Sequence, residues 1–167
     1  EPRVPINSIP VNIAAPGSYY LTSDLIGVSG ESGIYITSSF VTLDLNGFSL
    51  IGVPGTVDGI RAFSGTKQVV IRNGVIREWG GSGVSSFATE GTYEGLRVAS
   101  NGGNGMQLGP RSIVRNCVAT GNSLTGIFAD AGSVIVDSTA ASNSLIGINT
   151  AQHVTVSNST AASNGQS

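Results

Sequence analysis

Short apolar runs, seldom longer than three residues, recur along this chain and are separated by Gly, Asn and Ser. One set of runs follows a glycine: Gly33-Ile34-Tyr35-Ile36, Gly59-Ile60-Arg61-Ala62, Gly126-Ile127-Phe128-Ala129 and Gly147-Ile148-Asn149-Thr150. A second set comes several residues later: Val41-Thr42-Leu43-Asp44-Leu45, Val69-Val70-Ile71, Ile113-Val114, Val134-Ile135-Val136 and Val154-Thr155-Val156. The runs are β-branched, alternate in polarity and are bounded by turn formers, which predicts strands. No stretch sustains apolar spacing at i, i+3, i+4 and i+7, so no helix is expected in this region.

The leading glycine returns at Gly33, Gly59, Gly83, Gly105, Gly126 and Gly147, at intervals of 26, 24, 22, 21 and 21 residues. A fixed period of this size marks stacked repeats, each burying its inner face against its neighbours. Ile34, Ile36, Val114, Ile127, Ile135, Ile148 and Val156 are the expected inward positions. The last repeats align almost letter for letter, with Ser138-Thr139-Ala140-Ala141-Ser142-Asn143 recurring as Ser159-Thr160-Ala161-Ala162-Ser163-Asn164. Asn122, Asn143 and Asn164 then form one column, and Asn116, Asp137 and Asn158 another. Stacked amides can hydrogen-bond to one another along such a column. Asn is also simply a turn former; the ladder is the favoured reading for both columns.

At about 3.3 Å per strand residue, a 21-residue unit has a contour of about 70 Å, enough to circle a core of Val, Ile and Ala. The leucine pattern of leucine-rich repeats is missing. The expected architecture is all-β: a right-handed parallel β-helix, a single-stranded solenoid of about six coils. Residues 1–31 are Pro-containing and off-period and read as an N-terminal cap, with residues 32–167 as the repeats of one structural domain. Ala161 to Gly165 lies mid-repeat at the end of the sequence. Either further repeats follow or another subunit covers the last coil, and a homo-oligomer, guessed as a trimer, is expected.

The stretch Gly17-Ser18-Tyr19-Tyr20-Leu21-Thr22-Ser23-Asp24-Leu25, followed by Val41-Thr42-Leu43-Asp44-Leu45-Asn46-Gly47-Phe48, resembles the start of bacterial right-handed parallel β-helix repeat proteins. These belong to the broad pectate-lyase-like superfamily, and the resemblance runs from about Pro16 onward. It implies the fold; the superfamily spans lyases, glycoside hydrolases, tailspikes and adhesins. Its pectate lyases use a cluster of Asp ligands for calcium and a basic residue as base. This chain has no Asp cluster and Lys67 is its only lysine, so that machinery does not carry over.

Charge is scarce: 11% of the 167 residues are charged, against roughly a quarter in an average domain. The formal net charge is −2, which leaves no electrostatic case for nucleic acid. No run of about 18 apolar residues occurs, so no membrane-spanning helix is expected. Cys117 is alone and cannot form an internal disulfide. Low charge with abundant Ser, Thr and Asn fits a secreted or cell-surface protein. All eight Lys and Arg residues lie at or before Arg115.

Candidate chemistry concentrates between Arg72 and Arg115. Arg72, Glu94 and Arg115 fall in one repeat column, written Leu45, Arg72, Glu94, Arg115, Val136, Ser157. That column reads as a surface salt-bridge ladder or as a site for acidic sugars, because Arg binds carboxylates in a bidentate manner. Trp79, the only tryptophan, reads either as a sugar-stacking platform or as a packed corner; Phe87 and Tyr93 lie in the same irregular stretch. Glycoside hydrolysis needs two carboxyl groups about 5–9.5 Å apart. Asp44, Asp58, Glu78, Glu90 and Glu94 supply no such pair in adjacent columns. His153 reads as a solvated turn residue, and Cys117 as a small residue in a stacked column. Catalytic residues are unassigned, and no metal or cofactor is expected. The favoured function is a non-catalytic extracellular stalk or binding module, glycan-associated or self-associating. The alternative is a fragment of a polysaccharide lyase or glycoside hydrolase.

Overall fold

A computed structural model describes residues 2–166, and every regular element among them is a strand. Two parallel sheets run the length of the solenoid. One has seven strands: Val11–Ile13, Ile34–Ile36, Ile60–Ala62, Val84–Ser86, Met106–Leu108, Ile127–Ala129 and Ile148–Thr150. The other has thirteen strands, because five coils contribute two segments separated by a bend, while Val70–Arg77 and Thr92–Ala99 run through as single strands. The seven-stranded sheet counts seven coils, one more than the glycine column suggested. The additional coil comes from residues before Gly33: Val11–Ile13 pairs with Ile34–Ile36, and Val4–Ile6 pairs with Gly17–Leu21. The segment expected as a cap is thus hydrogen-bonded into both sheets.

Each repeated glycine sits where a side chain would have no room. A Cβ on Gly33 would lie 2.7 Å from the carbonyl oxygen of Gly59. The same clash recurs from Gly59 to Gly83 at 2.6 Å, from Gly105 to Gly126 at 2.5 Å and from Gly126 to Gly147 at 2.7 Å. None of these glycines needs a positive φ. The repeat period therefore records a steric requirement at each crossing, where only hydrogen fits.

The core follows the pleat. Leu43, Ile71, Tyr93, Val114, Ile135 and Val156 form one inward column in register. Ile34, Ile36, Val114, Ile127 and Ile135 are fully buried, as their spacing implied. Ile148 is half-buried and Val156 is 45% exposed. Both point inward by register, but they lie in the last described coil and have a neighbour on one side only. Tyr93 brings a hydroxyl into this core, which donates to Ser86 Oγ at 2.6 Å. Burial pushes the phenol up to about 12.

The two asparagine columns have different roles. Asn122, Asn143 and Asn164 form a ladder at the corner before the seven-stranded sheet. Asn122 Nδ2 donates to Asn143 Oδ1 at 2.9 Å, and Asn143 Nδ2 to Asn164 Oδ1 at 3.0 Å. Each Oδ1 also accepts a backbone N–H from the coil before. The ladder extends back to Asn101, whose Nδ2 donates to Asn122 Oδ1, and Asn101 Oδ1 accepts the Trp79 N–H. Asn116, Asp137 and Asn158 do not form a second ladder. Their side chains are exposed and make no side-chain hydrogen bond among the described residues. They sit at the bend between the two segments of the larger sheet with φ of 52°, 50° and 48°. Asn and Asp tolerate this left-handed conformation better than most residues, and that tolerance accounts for the column.

Candidate functional site

The outer faces of the two sheets carry different chemistry. On the thirteen-stranded sheet, Arg72, Glu94 and Arg115 stand in one register on successive coils. The preceding member is Asp44, which corrects the expected Leu45. Leu45 is buried, and the chain then turns through Asn46 and Gly47, both at positive φ. Later coils turn through a single residue, so alignment by letters slips by one here. Asp44 draws in two cations: Arg3 Nη2 at 3.2 Å and Arg72 Nη2 at 3.1 Å. It also accepts the Asn46 N–H and an Asn73 amide hydrogen. Arg72 is thereby turned toward Asp44. No ion pair joins Glu94 to either flanking arginine among the described residues, and Arg115 Nε is buried without a partner. The column exists as a register, and its ion pairing is confined to the Asp44 end.

Trp79 is 1% exposed, and its Nε1–H donates to Leu50 O at 3.2 Å. Of the two roles weighed for it, the structure places it in the packed one. Cys117 is buried against Tyr93 O and Arg115 O, and burial pushes its thiol up to about 11. Its backbone N–H donates to Ser138 Oγ. His153 lies in an exposed turn at φ 58°.

The seven-stranded sheet holds what sequence reasoning missed. By alternation, the middle residue of each strand points out. Arg61, Ser85, Gln107 and Phe128 therefore follow one another on consecutive coils, with Tyr35 before them. Just past the ends of Ile60–Ala62 and Val84–Ser86 come Phe63 and Phe87, 38% and 43% exposed. Their N–H groups donate to Ile36 O and Ala62 O, so the two rings stand on adjacent coils. Tyr35 and Phe63 stack with centroids 6.3 Å apart, and the Arg61 guanidinium lies 5.6 Å above the Phe63 ring. Tyr35 is held in place: its hydroxyl donates to Glu31 Oε2 at 2.9 Å and accepts the Ser32 N–H. Tyr35 occupies an outward strand position, and Phe63 and Phe87 directly follow the ends of strands, each in a different repeat. No single motif contains them, and only the coil register brings them together.

Most carboxylates are committed to structural contacts. Asp58 Oδ1 accepts the Ser82 N–H at 2.8 Å, and its other oxygen faces Arg61 at 3.6 Å. Glu90 accepts from Gln68 and Arg111; these bonds and the nearby Arg111 and Lys67 charges lower its pKa. Glu78 pairs with Arg77, and Asp24 accepts the Ser49 N–H. Among the described residues, no group of three His, Cys, Asp or Glu side chains gathers as a metal site. Among the described residues, no helix is long and apolar enough to cross a membrane.

The family model described as right handed beta helix region matches residues 58–167. The chain belongs to the right-handed β-helix family. This solenoid is also similar to the A-module of a mannuronan C-5 epimerase from Azotobacter vinelandii. That likeness has 12% identity and a TM-score of 0.47, over 94% of this chain and 67% of that one. At that level it speaks to neither activity nor ligand. No curated protein matches the sequence.

Proposed function

We propose that this β-helix is a non-catalytic carbohydrate-binding module whose contact surface is the outer face of the seven-stranded sheet. The observation that carries the reading is the exposed set Tyr35, Phe63 and Phe87, in which Glu31 and Ser32 brace Tyr35, and Tyr35 and Arg61 stack against Phe63. Sugar rings have apolar C–H faces and polar rims, which suits exposed aromatics set beside hydroxyl and amide groups. Because Tyr35 and Phe63 are already braced, those two rings have little rotamer entropy left to lose on binding. Most of the carboxylates, by contrast, are taken up by backbone N–H groups and arginines, Asp24, Asp44, Asp58 and Glu78 among them. That pattern favours binding over hydrolysis.

The test is retention against turnover. The protein, in gels or on beads carrying insoluble or immobilised polysaccharides, should be retarded without releasing reducing ends or unsaturated products. Phe63→Ala should weaken the retention. Product release abolished by changing Asp58, Glu78 or Glu94 would replace this reading with the enzymatic one. Retention that survives Phe63→Ala together with Phe87→Ala would remove the sheet face from it.

A further inference from the structure

Resting on that reading, we infer that the face selects an uncharged glycan, laid along the solenoid axis, and not a chain bearing carboxylates. The first support is charge. Arg61 is the cation within the platform, and it is already engaged by Asp58 and stacked over Phe63. Glu31, tied to the Tyr35 hydroxyl, adds a negative charge at the same end. A carboxylated ligand would have to displace Asp58 from Arg61, and Asp58 also anchors the turn through the Ser82 N–H. Of the cations without an ion pair, Lys67 is exposed beyond the turn that follows Phe63, outside the strands of the face, and Arg97 and Arg115, exposed and half-exposed, stand on the thirteen-stranded sheet.

The second support is the floor next to the rings. Beyond Arg61 it consists of Ser85, which is largely covered, and Gln107. Asn104 Nδ2 donates to Gln107 Oε1 at 3.2 Å, which fixes that amide and leaves its own Nε2 hydrogens without a partner among the described residues. A fixed amide donor suits a sugar hydroxyl or an N-acetyl carbonyl. Asn104 is itself set by the turn ladder, where its Oδ1 accepts the Thr125 N–H and its N–H donates to Ser82 Oγ.

The third support is spacing. Coils recur about every 4.8 Å along the axis, close to the length of one pyranose unit. Phe63 and Phe87 are one coil apart, and Gln107 follows on the next coil. Past Phe87 its column continues as Gly109, where the N–H of Asp130 bonds back to Leu108 O and no side chain rises. The opposite margin also drops: Gly81 and Gly103 follow Val57 before Leu124 restores a side chain. A chain lying along the axis therefore meets rings on one flank and an open margin on the other.

Titration calorimetry with defined oligosaccharides separates the claims. The probes are cello- and N-acetylglucosamine oligomers as neutral chains, and galacturonate and mannuronate oligomers as acidic ones. A neutral chain should bind, and Phe63→Ala, Phe87→Ala and Gln107→Ala should each weaken it by up to about tenfold. Arg72→Ala and Arg115→Ala should leave it unchanged. These are outward side chains, and an unchanged melting curve certifies each fold. Preferential binding of the acidic chains, lost in Arg61→Ala, would overturn neutral selectivity while leaving the sheet face as the carbohydrate site. Acidic binding lost instead in Arg72→Ala and Arg115→Ala would overturn both the selectivity and the face. Binding of neither class would overturn the carbohydrate reading itself.

Discussion

At the residue scale, the same letter in two columns does two physically different things. Asn122 satisfies buried partners through its side chain, donating to Asn143 Oδ1 and Val98 O while accepting from Asn101. Removing it strands several buried polar groups at once, and each buried unsatisfied group costs about 1–3 kcal/mol. Asn116 is kept for its backbone, at φ 52° with an exposed side chain. Asn122→Ala should therefore lower the unfolding free energy by about 1–3 kcal/mol or more, whereas Asn116→Gly should leave it nearly unchanged. Denaturant unfolding of the two variants beside the parent chain checks this, and equal losses would refute the division of roles. Letters alone did not separate the columns, because a stacked amide and a left-handed turn both select Asn. What distinguishes them is position in the coil. The ladder follows the last inward alanine, as in Ala140 to Asn143, while the turn residue lies between two strand segments.

At the element scale, the glycine before six of the seven strands of the seven-stranded sheet is the feature that sequence displays most openly. Its cause is visible only once coils are stacked. The strands themselves are three residues long, far too short to hold alone; the inner five are fixed by parallel neighbours on both sides and the two end strands on one. Coil contact therefore has to be close at every turn. Gly105→Ala would press its new methyl against Gly126 O and Asn122 Nδ2, 2.5 and 2.7 Å away. The backbone of the next coil cannot yield without shifting the amide ladder, so a loss of about 1–3 kcal/mol is expected, as for other overpacked sites. Gly47→Ala makes a useful contrast. Nothing lies within 4 Å of its Cβ, and its cost would come only from the φ of 81°. If the two substitutions melt alike, with Gly105→Ala causing no steric penalty, the close-approach explanation of the repeat fails. Inward positions such as Ile34, Ile127 and Ile135 were legible because alternation and period point the same way. The aromatic face was not legible, because its members are outward, single and one coil apart.

At the scale of the whole molecule, a solenoid has no single core, and each coil is only as stable as its contacts above and below. The coils carrying Tyr93, Trp79 and Leu96 have large buried side chains and a neighbour on each side. The last described coil is different: its inward column shrinks to Val156 and Ala161, and its strands Thr155–Ser157 and Thr160–Ala162 are exposed throughout. Amide hydrogen exchange should therefore be graded. Protection should be greatest for residues of the strands Val70–Arg77 and Thr92–Ala99, and least for Ile148–Thr150, Thr155–Ser157 and Thr160–Ala162. The reason is arithmetic in the stacking: an end coil can open by giving up one interface, whereas a middle coil must give up two. Polar ladders do not reverse this order, because Asn164 donates to Ala140 O but has no amide beyond it among the described residues. Measuring exchange at two protein concentrations sharpens the test. Gradation at both concentrations supports coil-by-coil opening. If protection of the last strands rises with concentration, and light scattering shows a matching increase in mass, a second copy seals that face, as the expected homo-oligomer requires. Uniform protection independent of concentration would contradict the stacked-coil account of stability.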